Sequence, residues 1–192
     1  MDGLLERAPW VKRHKLDVRD YHRMGEAGIF AEGTRVELIE GEIVDMAPIG
    51  SEHTGTVTSL TEAIYATIAG RATVAVQSPL RLSEFSEPEP DLLLLKPRAD
   101  RYRSEHPTAA DVLLLIEVAN TSLRYDRDVK LPLYAKHGVP EVWIVNLTEG
   151  LIEVYRDPKD EAWLTTRRVM PGETVEPAAL PGLRLAVDAV LG

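Results

Sequence analysis

The sequence contains no cysteine. Disulfides, thiolate zinc sites and a cysteine nucleophile are therefore excluded, while compartment is left open on this ground. Long apolar runs are also missing. Stretches such as 92–95 and 112–116 fall far short of the roughly 20 residues needed to cross a bilayer, so no membrane span is expected. The N-terminus, Met1-Asp2-Gly3-Leu4-Leu5-Glu6-Arg7, has no basic segment leading into an apolar one and does not read as a signal peptide. Together these absences predict a soluble, cytoplasmic protein. Positive charge is scarce as well: 22 basic against 31 acidic residues give a net charge of −9 at pH 7. Basic patches usually hold nucleic-acid binders on phosphates, so this sign counts against strong non-specific affinity for DNA without deciding it. Local basic clusters remain, at Lys96-Pro97-Arg98 through Arg103 and at Arg124, Arg127 and Lys130.

Internal repeats, low-complexity tracts and linkers are absent too. The 192 residues fit one domain long enough to bury a core. Hydrophobic residues at 44% and charged residues at 28% are ordinary globular usage, so the chain is expected to fold.

Residues 1–16 show no clean period and read as a loosely ordered lead-in. Asp17 can cap a short helix reaching Ala27, with Gly28 near its end. Segments 34–39 and 43–46, joined by Glu40-Gly41-Glu42, predict a hairpin. Ser51 is placed to cap a helix over 52–68, in which Val57, Leu60, Ile64 and Ile68 form one apolar stripe. Residues 73–77 and 80–82 read as short strands, and the acidic, proline-containing 83–90 as extended chain.

Segments 92–95 and 112–116 are continuously apolar, as strands covered on both faces by helices are. The polar loop 96–111 separates them. A helix is expected from Asp126 or Asp128 to His137, ended by Gly138, and Pro132 within it predicts a late start or a kink. The next buried strand is 142–145, with Trp143 in the core. Residues 151–155 and 163–169 read as a hairpin across Asp157-Pro158-Lys159-Asp160. The fold class is α/β, with an N-terminal and a C-terminal hairpin.

One constellation carries chemistry. Asp91 leads into 92–95, Glu117 ends a long apolar strand, and Lys130 lies on the next element. Hydrolysing a phosphodiester at neutral pH calls for a divalent cation to activate water and neutralise the phosphate. Mg2+ takes one or two carboxylates plus waters and substrate oxygens. Asp91 and Glu117 would hold Mg2+ or Mn2+ if their strands are neighbours and both acids lie at one end of the sheet. Lys130 would orient or deprotonate the attacking water, or stabilise the phosphate. The bland reading is that the acids are solvated loop residues and the lysine a surface charge. Against it, Glu117 is the one charge at the end of its apolar strand, where an unpaired carboxylate would be costly.

His53, Glu37, Gln77 and Asp126 are candidate neighbours of the site; Tyr134 reads as packing. His14, His22 and His106 have no spacing that suggests a metal site.

The same residues carry a resemblance. Pro90-Asp91, Ile116-Glu117-Val118-Ala119, and Ser122…Tyr125-Asp126-Arg127…Lys130…Tyr134…Gly138-Val139-Pro140-Glu141-Val142-Trp143 resemble the Uma2 family, formerly DUF820. That family is placed in the PD-(D/E)XK superfamily of restriction-endonuclease-like folds. Val36-Glu37-Leu38-Ile39-Glu40-Gly41-Glu42, Met46-Ala47-Pro48 and Glu52-His53 resemble its opening hairpin and helix, so the similarity covers about 17–190.

The resemblance implies a central mixed β-sheet flanked by helices, in one nuclease domain over 17–192. It makes Asp91 and Glu117 the metal-binding acids of a Mg2+- or Mn2+-dependent endonuclease acting on DNA. The common superfamily pattern sets a lysine two residues after the second acid. Here that position is Ala119, and the role passes to Lys130. A homodimer is plausible, because cutting both strands of a duplex needs two sites. Two other readings fit: a catalytically silent binding or regulatory module on the same fold, and a hydrolase of a small phosphorylated or nucleotide substrate.

Overall fold

The computed structural model describes residues 10–192, so 1–9 of the expected lead-in lie outside the described residues. Asp17 has extended backbone and its carboxylate accepts from the Asp20 N–H at 2.8 Å, starting helix α1 (Val18–Glu26) as expected. Strands β1 (Val36–Ile39) and β2 (Glu42–Asp45) pair antiparallel around Glu40 and Gly41. Both turn residues have positive φ, 49° and 86°, as tight two-residue hairpins require. A Cβ on Gly41 would sit 2.6 Å from Lys15 Cβ, so the turn tolerates only glycine there.

Helix α2 (Ser51–Ile68) buries the expected stripe of Val57, Leu60, Ile64 and Ile68. Its cap is Gly50, not Ser51. Gly50 already holds the extended backbone a cap needs, so Ser51 becomes the first helical residue.

Six strands form the central sheet: β3 (Thr73–Val76), β4 (Leu92–Leu95), β5 (Val112–Ala119), β6 (Glu141–Asn146), β7 (Leu151–Lys159) and β8 (Ala162–Val169). They lie side by side in that order. The β5–β6 pair is parallel and the others antiparallel, so the sheet is mixed.

Alternation sorts its side chains onto two faces. Leu92, Leu94, Leu114, Ile116, Trp143 and Val145 pack with the α2 stripe. Leu93, Leu95, Leu115, Ala119, Val142 and Ile144 pack against Leu131 and Tyr134 of the next helix. Residues 91 and 117 share the parity of this second face.

Residues 80–82 form no strand. Their amides are used locally, Leu80 N–H to Pro88 O and Leu82 N–H to Ser86 O, and Arg81 makes a single bridge to Thr108. Strand β7 runs on through Asp157-Pro158-Lys159, and Lys159 pairs with Ala162. The hairpin therefore turns at Asp160 and Glu161, with Asp160 at φ 55°.

A parallel β5–β6 pair needs a crossover, and helix α3, residues 123–136, supplies it. It comprises an α turn at Leu123–Tyr125, a π turn at Asp126–Lys130 and an α segment at Leu131–Lys136. The helix thus starts before Asp126 rather than at or after it. Pro132 has no N–H, and its ring crowds the carbonyl four residues back. The wider turn, in which the Leu131 N–H reaches Asp126 O, accommodates it.

Strands β9 (Thr174–Val175) and β10 (Leu185–Ala186) pair antiparallel ahead of helix α4 (Val187–Leu191), whose Val187 and Val190 pack on the α2 side. No described helix is long and apolar enough to cross a membrane.

Candidate active site

Leu92 pairs with Ile116 across the β4–β5 ladder, so Asp91 and Glu117 stand opposite one another one step further on. Both are buried, at 9% and 3% exposure. One Asp91 oxygen, Oδ2, accepts from the Val118 N–H at 2.9 Å and lies 3.0 Å from His53 Nε2, in the first turn of α2. The other, Oδ1, has a 3.4 Å contact from Gln77 Nε2. Gln77 follows β3 with φ 44°, a left-handed conformation that a non-glycine residue holds at a cost of about 1 kcal/mol. The Gln77 N–H donates to Asp91 O at 2.9 Å, which fixes that conformation beside the acid.

Glu117 projects toward α3. Its Oε1 accepts from Lys130 Nζ at 3.2 Å and from the Tyr134 hydroxyl at 2.5 Å, while Oε2 lies 3.4 Å from the Asp91 N–H. Lys130, 4% exposed, also meets Glu37 Oε2 at 3.4 Å. Glu37, on β1, takes the Tyr125 hydroxyl at 2.9 Å and the Glu89 N–H at 3.1 Å. Asp126 lies within the π turn, where its carboxylate accepts from the Ser122 hydroxyl at 2.7 Å.

The structure thus places Asp91, Glu117, Lys130, His53, Glu37, Gln77 and Asp126 in one connected region.

Burial and charge set the protonation of this cluster. Burial pushes Glu117 up to about 8, against the opposing Lys130 charge and the Tyr134 hydrogen bond. Asp126 is raised to about 6, again first by burial. For Asp91 burial also acts upward, but the His53 hydrogen bond and charge, the Val118 N–H and Lys130 outweigh it and leave its pKa lowered. Burial works against the Lys130 ammonium, yet Glu117, Glu37 and Asp126 more than compensate and hold its pKa above the ordinary lysine value. Lys130 is a fixed cation here.

These groups line a cavity of about 340 Å³. Glu37, Asp45, Glu89, Asp91, Glu117 and Asp126 face it, against the permanent cations Arg35 and Lys130. The surplus of carboxylate is what a divalent cation would neutralise. Asp91 Oδ1 and Glu117 Oε2 carry the longest contacts of the pair, 3.4 Å each, and so keep lone pairs for one. An all-oxygen donor set of this kind suits Mg2+ or Mn2+.

A family model described as "Putative restriction endonuclease", Uma2, matches residues 18–188. The chain belongs to the Uma2 family. No curated protein matches it. A solved structure from Anabaena variabilis ATCC 29413, described as a "putative nuclease belonging to DUF820", superposes with a TM-score of 0.69 over 92% of this chain and 97% of that one. At 15% identity the likeness shows the fold: a restriction-endonuclease-like central mixed sheet with flanking helices.

This Uma2 chain also has site residues that sequence reasoning passed over. Tyr134 is fully buried, as packing requires, but its hydroxyl is the shortest contact to Glu117. Its position four residues after Lys130 was the available signal. Tyr125, Ser122 and Glu89 complete the polar shell; the first two stand in the stretch that carries the family resemblance without a role read for them, and Glu89 had only its proximity to Asp91 in sequence. The expected basic clusters are largely committed to neighbouring carboxylates. Arg98 pairs with Asp100 and Glu105, Arg124 with Asp128, and Arg127 with Glu149 and Glu153.

Proposed function

We propose that this Uma2 chain is a divalent-metal-dependent endonuclease that hydrolyses DNA phosphodiester bonds. The convergence of Asp91, Glu117 and Lys130 at one end of the sheet carries this reading. Asp91 and Glu117 would hold Mg2+ or Mn2+. The bound ion would supply a water of lowered pKa and neutralise charge on the phosphate.

The chain's own residues do the rest. Lys130, kept protonated by its three acids, cannot serve as the base that takes the water's proton. It orients Glu117 by donating to Oε1 and offers positive charge to the phosphate as it becomes pentavalent. Tyr134 locks the same Glu117 oxygen from behind. His53 holds Asp91 through Nε2, and its buried Nδ1 has no hydrogen-bond partner among the described residues.

The deciding experiment is DNA cleavage by the purified chain with Mg2+ or Mn2+, compared with Asp91→Ala. Metal-dependent cleavage lost in the variant supports the reading; no cleavage with either ion, or equal cleavage by the variant, overturns it.

The acid-rich lining and the ion-paired arginines favour, as a second reading, hydrolysis of a small phosphorylated substrate, for which about 340 Å³ is room enough. Metal-dependent turnover of nucleotides or phosphodiester monomers, with DNA left intact, would select it.

A further inference from the structure

His22, Glu87 and His106 are far apart in sequence, and their spacing suggests no metal site. The fold nevertheless brings them together. His22 lies on α1, Glu87 on the extended segment before β4, and His106 on the loop before β5. Their ligand atoms all fall within 4.8 Å of one another. His22 Nε2 is 2.5 Å from Glu87 Oε1, and the two imidazoles meet edge to face with ring centroids 6.0 Å apart. Glu87 is anchored by its own backbone, which bridges to Leu38 with its N–H on Leu38 O at 2.8 Å.

A second observation points to a ligand. The Glu87 side chain is 1% exposed, yet its Oε2 finds no hydrogen-bond partner among the described residues. A desolvated carboxylate oxygen without a partner is costly, and a cation would relieve that cost.

We propose that His22, Glu87 and His106 form a second metal site, separate from the Asp91–Glu117 pair, for a divalent transition metal of the Zn2+ class. Two imidazole nitrogens and one carboxylate suit Zn2+, Co2+ or Ni2+ far better than Mg2+. Three protein ligands leave a fourth position to water, as in open zinc sites.

Around a tetrahedral ion with bonds of about 2.0–2.2 Å, ligand atoms stand about 3.3–3.5 Å apart. The 2.5 Å His22–Glu87 contact must therefore open by about 1 Å. The His22 side chain is 41% exposed and His106 is exposed on its loop, so both can adjust around the buried carboxylate. A bound ion would staple α1 and the loop before β5 to the strand-leading segment that also carries Glu89 and Asp91.

The test titrates Zn2+ alone into the full chain, into His22→Ala, His106→Ala and Glu87→Gln, and into an Asp91→Asn/Glu117→Gln double variant. The proposal expects one Zn2+ bound by the wild type and by the double variant, with a higher melting temperature in both. Each of the other three substitutions should weaken binding by more than the roughly 10–100-fold that loss of a supporting contact costs. Co2+ in place of Zn2+ should give visible ligand-field bands that vanish in His22→Ala and His106→Ala. These two histidines are exposed, so their variants should fold, and a melt without metal checks this.

Zn2+ affinity within a few-fold of wild type in both histidine variants overturns the proposal. So does Zn2+ binding that disappears in the Asp91→Asn/Glu117→Gln variant, or no Zn2+ binding at all. Cleavage is not read, so the outcome is independent of the nuclease reading.

Discussion

The Asp91 backbone N–H lies 3.4 Å from Glu117 Oε2, so the two acids are tied across adjacent strands through main chain as well as position. The sheet, not a loop, fixes their separation. Asp91 stands immediately before strand β4 and Glu117 near the end of antiparallel β5, which puts both at the same end of the buried sheet. Helix α3 follows β5 directly and returns Lys130 to within 3.2 Å of Glu117.

Replacing either acid by its amide should preserve the fold and remove catalysis. Asp91→Asn keeps an acceptor for the Val118 N–H, and Glu117→Gln keeps one for Tyr134. If Asp91 and Glu117 hold a catalytic ion, each substitution should lower metal-dependent cleavage by at least about 100-fold, because such an ion would contribute several kcal/mol of charge stabilisation. Cleavage rates measured alongside circular dichroism spectra check this. A well-folded amide variant that cleaves within a few-fold of wild type rules out the two-acid site.

Above about pH 8, where Glu117 is ionised, Lys130→Met should destabilise the chain by about 3–5 kcal/mol, since it strands the buried Glu37 and Glu117 carboxylates without their cation. Adding Glu37→Gln should recover part of that loss by removing one orphaned charge, without restoring cleavage. Urea unfolding of the four members of this cycle measures the coupling. Equal stability of Lys130→Met and wild type would mean that the lysine is not the counter-ion of these acids.

The fold was legible wherever apolar pattern alone decides structure. The continuous runs at 92–95 and 112–116 became strands buried on both faces, and the stripe from Val57 to Ile68 became the inner face of α2. What escaped depends on backbone detail that pattern does not encode. Asp126 and Asp128 look like caps, but α3 begins earlier and spends its extra residue in a π turn ahead of Pro132. Ala119, where the superfamily lysine would sit, is fully buried in the cluster that holds Leu131 and Tyr134. A small side chain there leaves room for α3, and α3 brings the lysine instead. The acids and Lys130 stood out because charges beside buried strands are costly. The tyrosines did not, because a buried tyrosine reads as packing until its hydroxyl partner is seen.

His53→Ala should act on metal affinity more than on the maximal rate. His53 helps hold Asp91 below its ordinary pKa, against burial. Without it the carboxyl moves upward and binds a cation less readily. The Mg2+ concentration for half-maximal cleavage should rise about tenfold, the equivalent of about 1.4 kcal/mol, with a smaller change at saturating metal. Metal titrations of the cleavage rate make the comparison. An unchanged half-maximal Mg2+ concentration would assign His53 a purely structural place.

The raised pKa of Glu117 gives the metal-free protein an unusual pH dependence. Burial lifts this carboxyl from 4.5 to about 8, so between those values the folded chain holds a proton that the unfolded chain has released. Its contribution to stability is complete below pH 4.5 and is lost as pH rises through about 8, with a slope of at most about 1.4 kcal/mol per pH unit. Asp126, raised from 3.8 to about 6, acts with the same sign over the lower part of that range. Metal binding must then expel the Glu117 proton, so Mg2+ affinity should climb toward pH 8 and each binding event should release a proton. Tyr134→Phe removes a hydrogen bond that favours the ionised carboxylate, and should move both effects to higher pH. Urea unfolding across this range, with calorimetric Mg2+ titrations in buffers of different ionisation enthalpy, reads both quantities. Metal-free stability that rises toward pH 8, or Mg2+ binding without proton release at neutral pH, would show that Glu117 is already ionised beside Lys130.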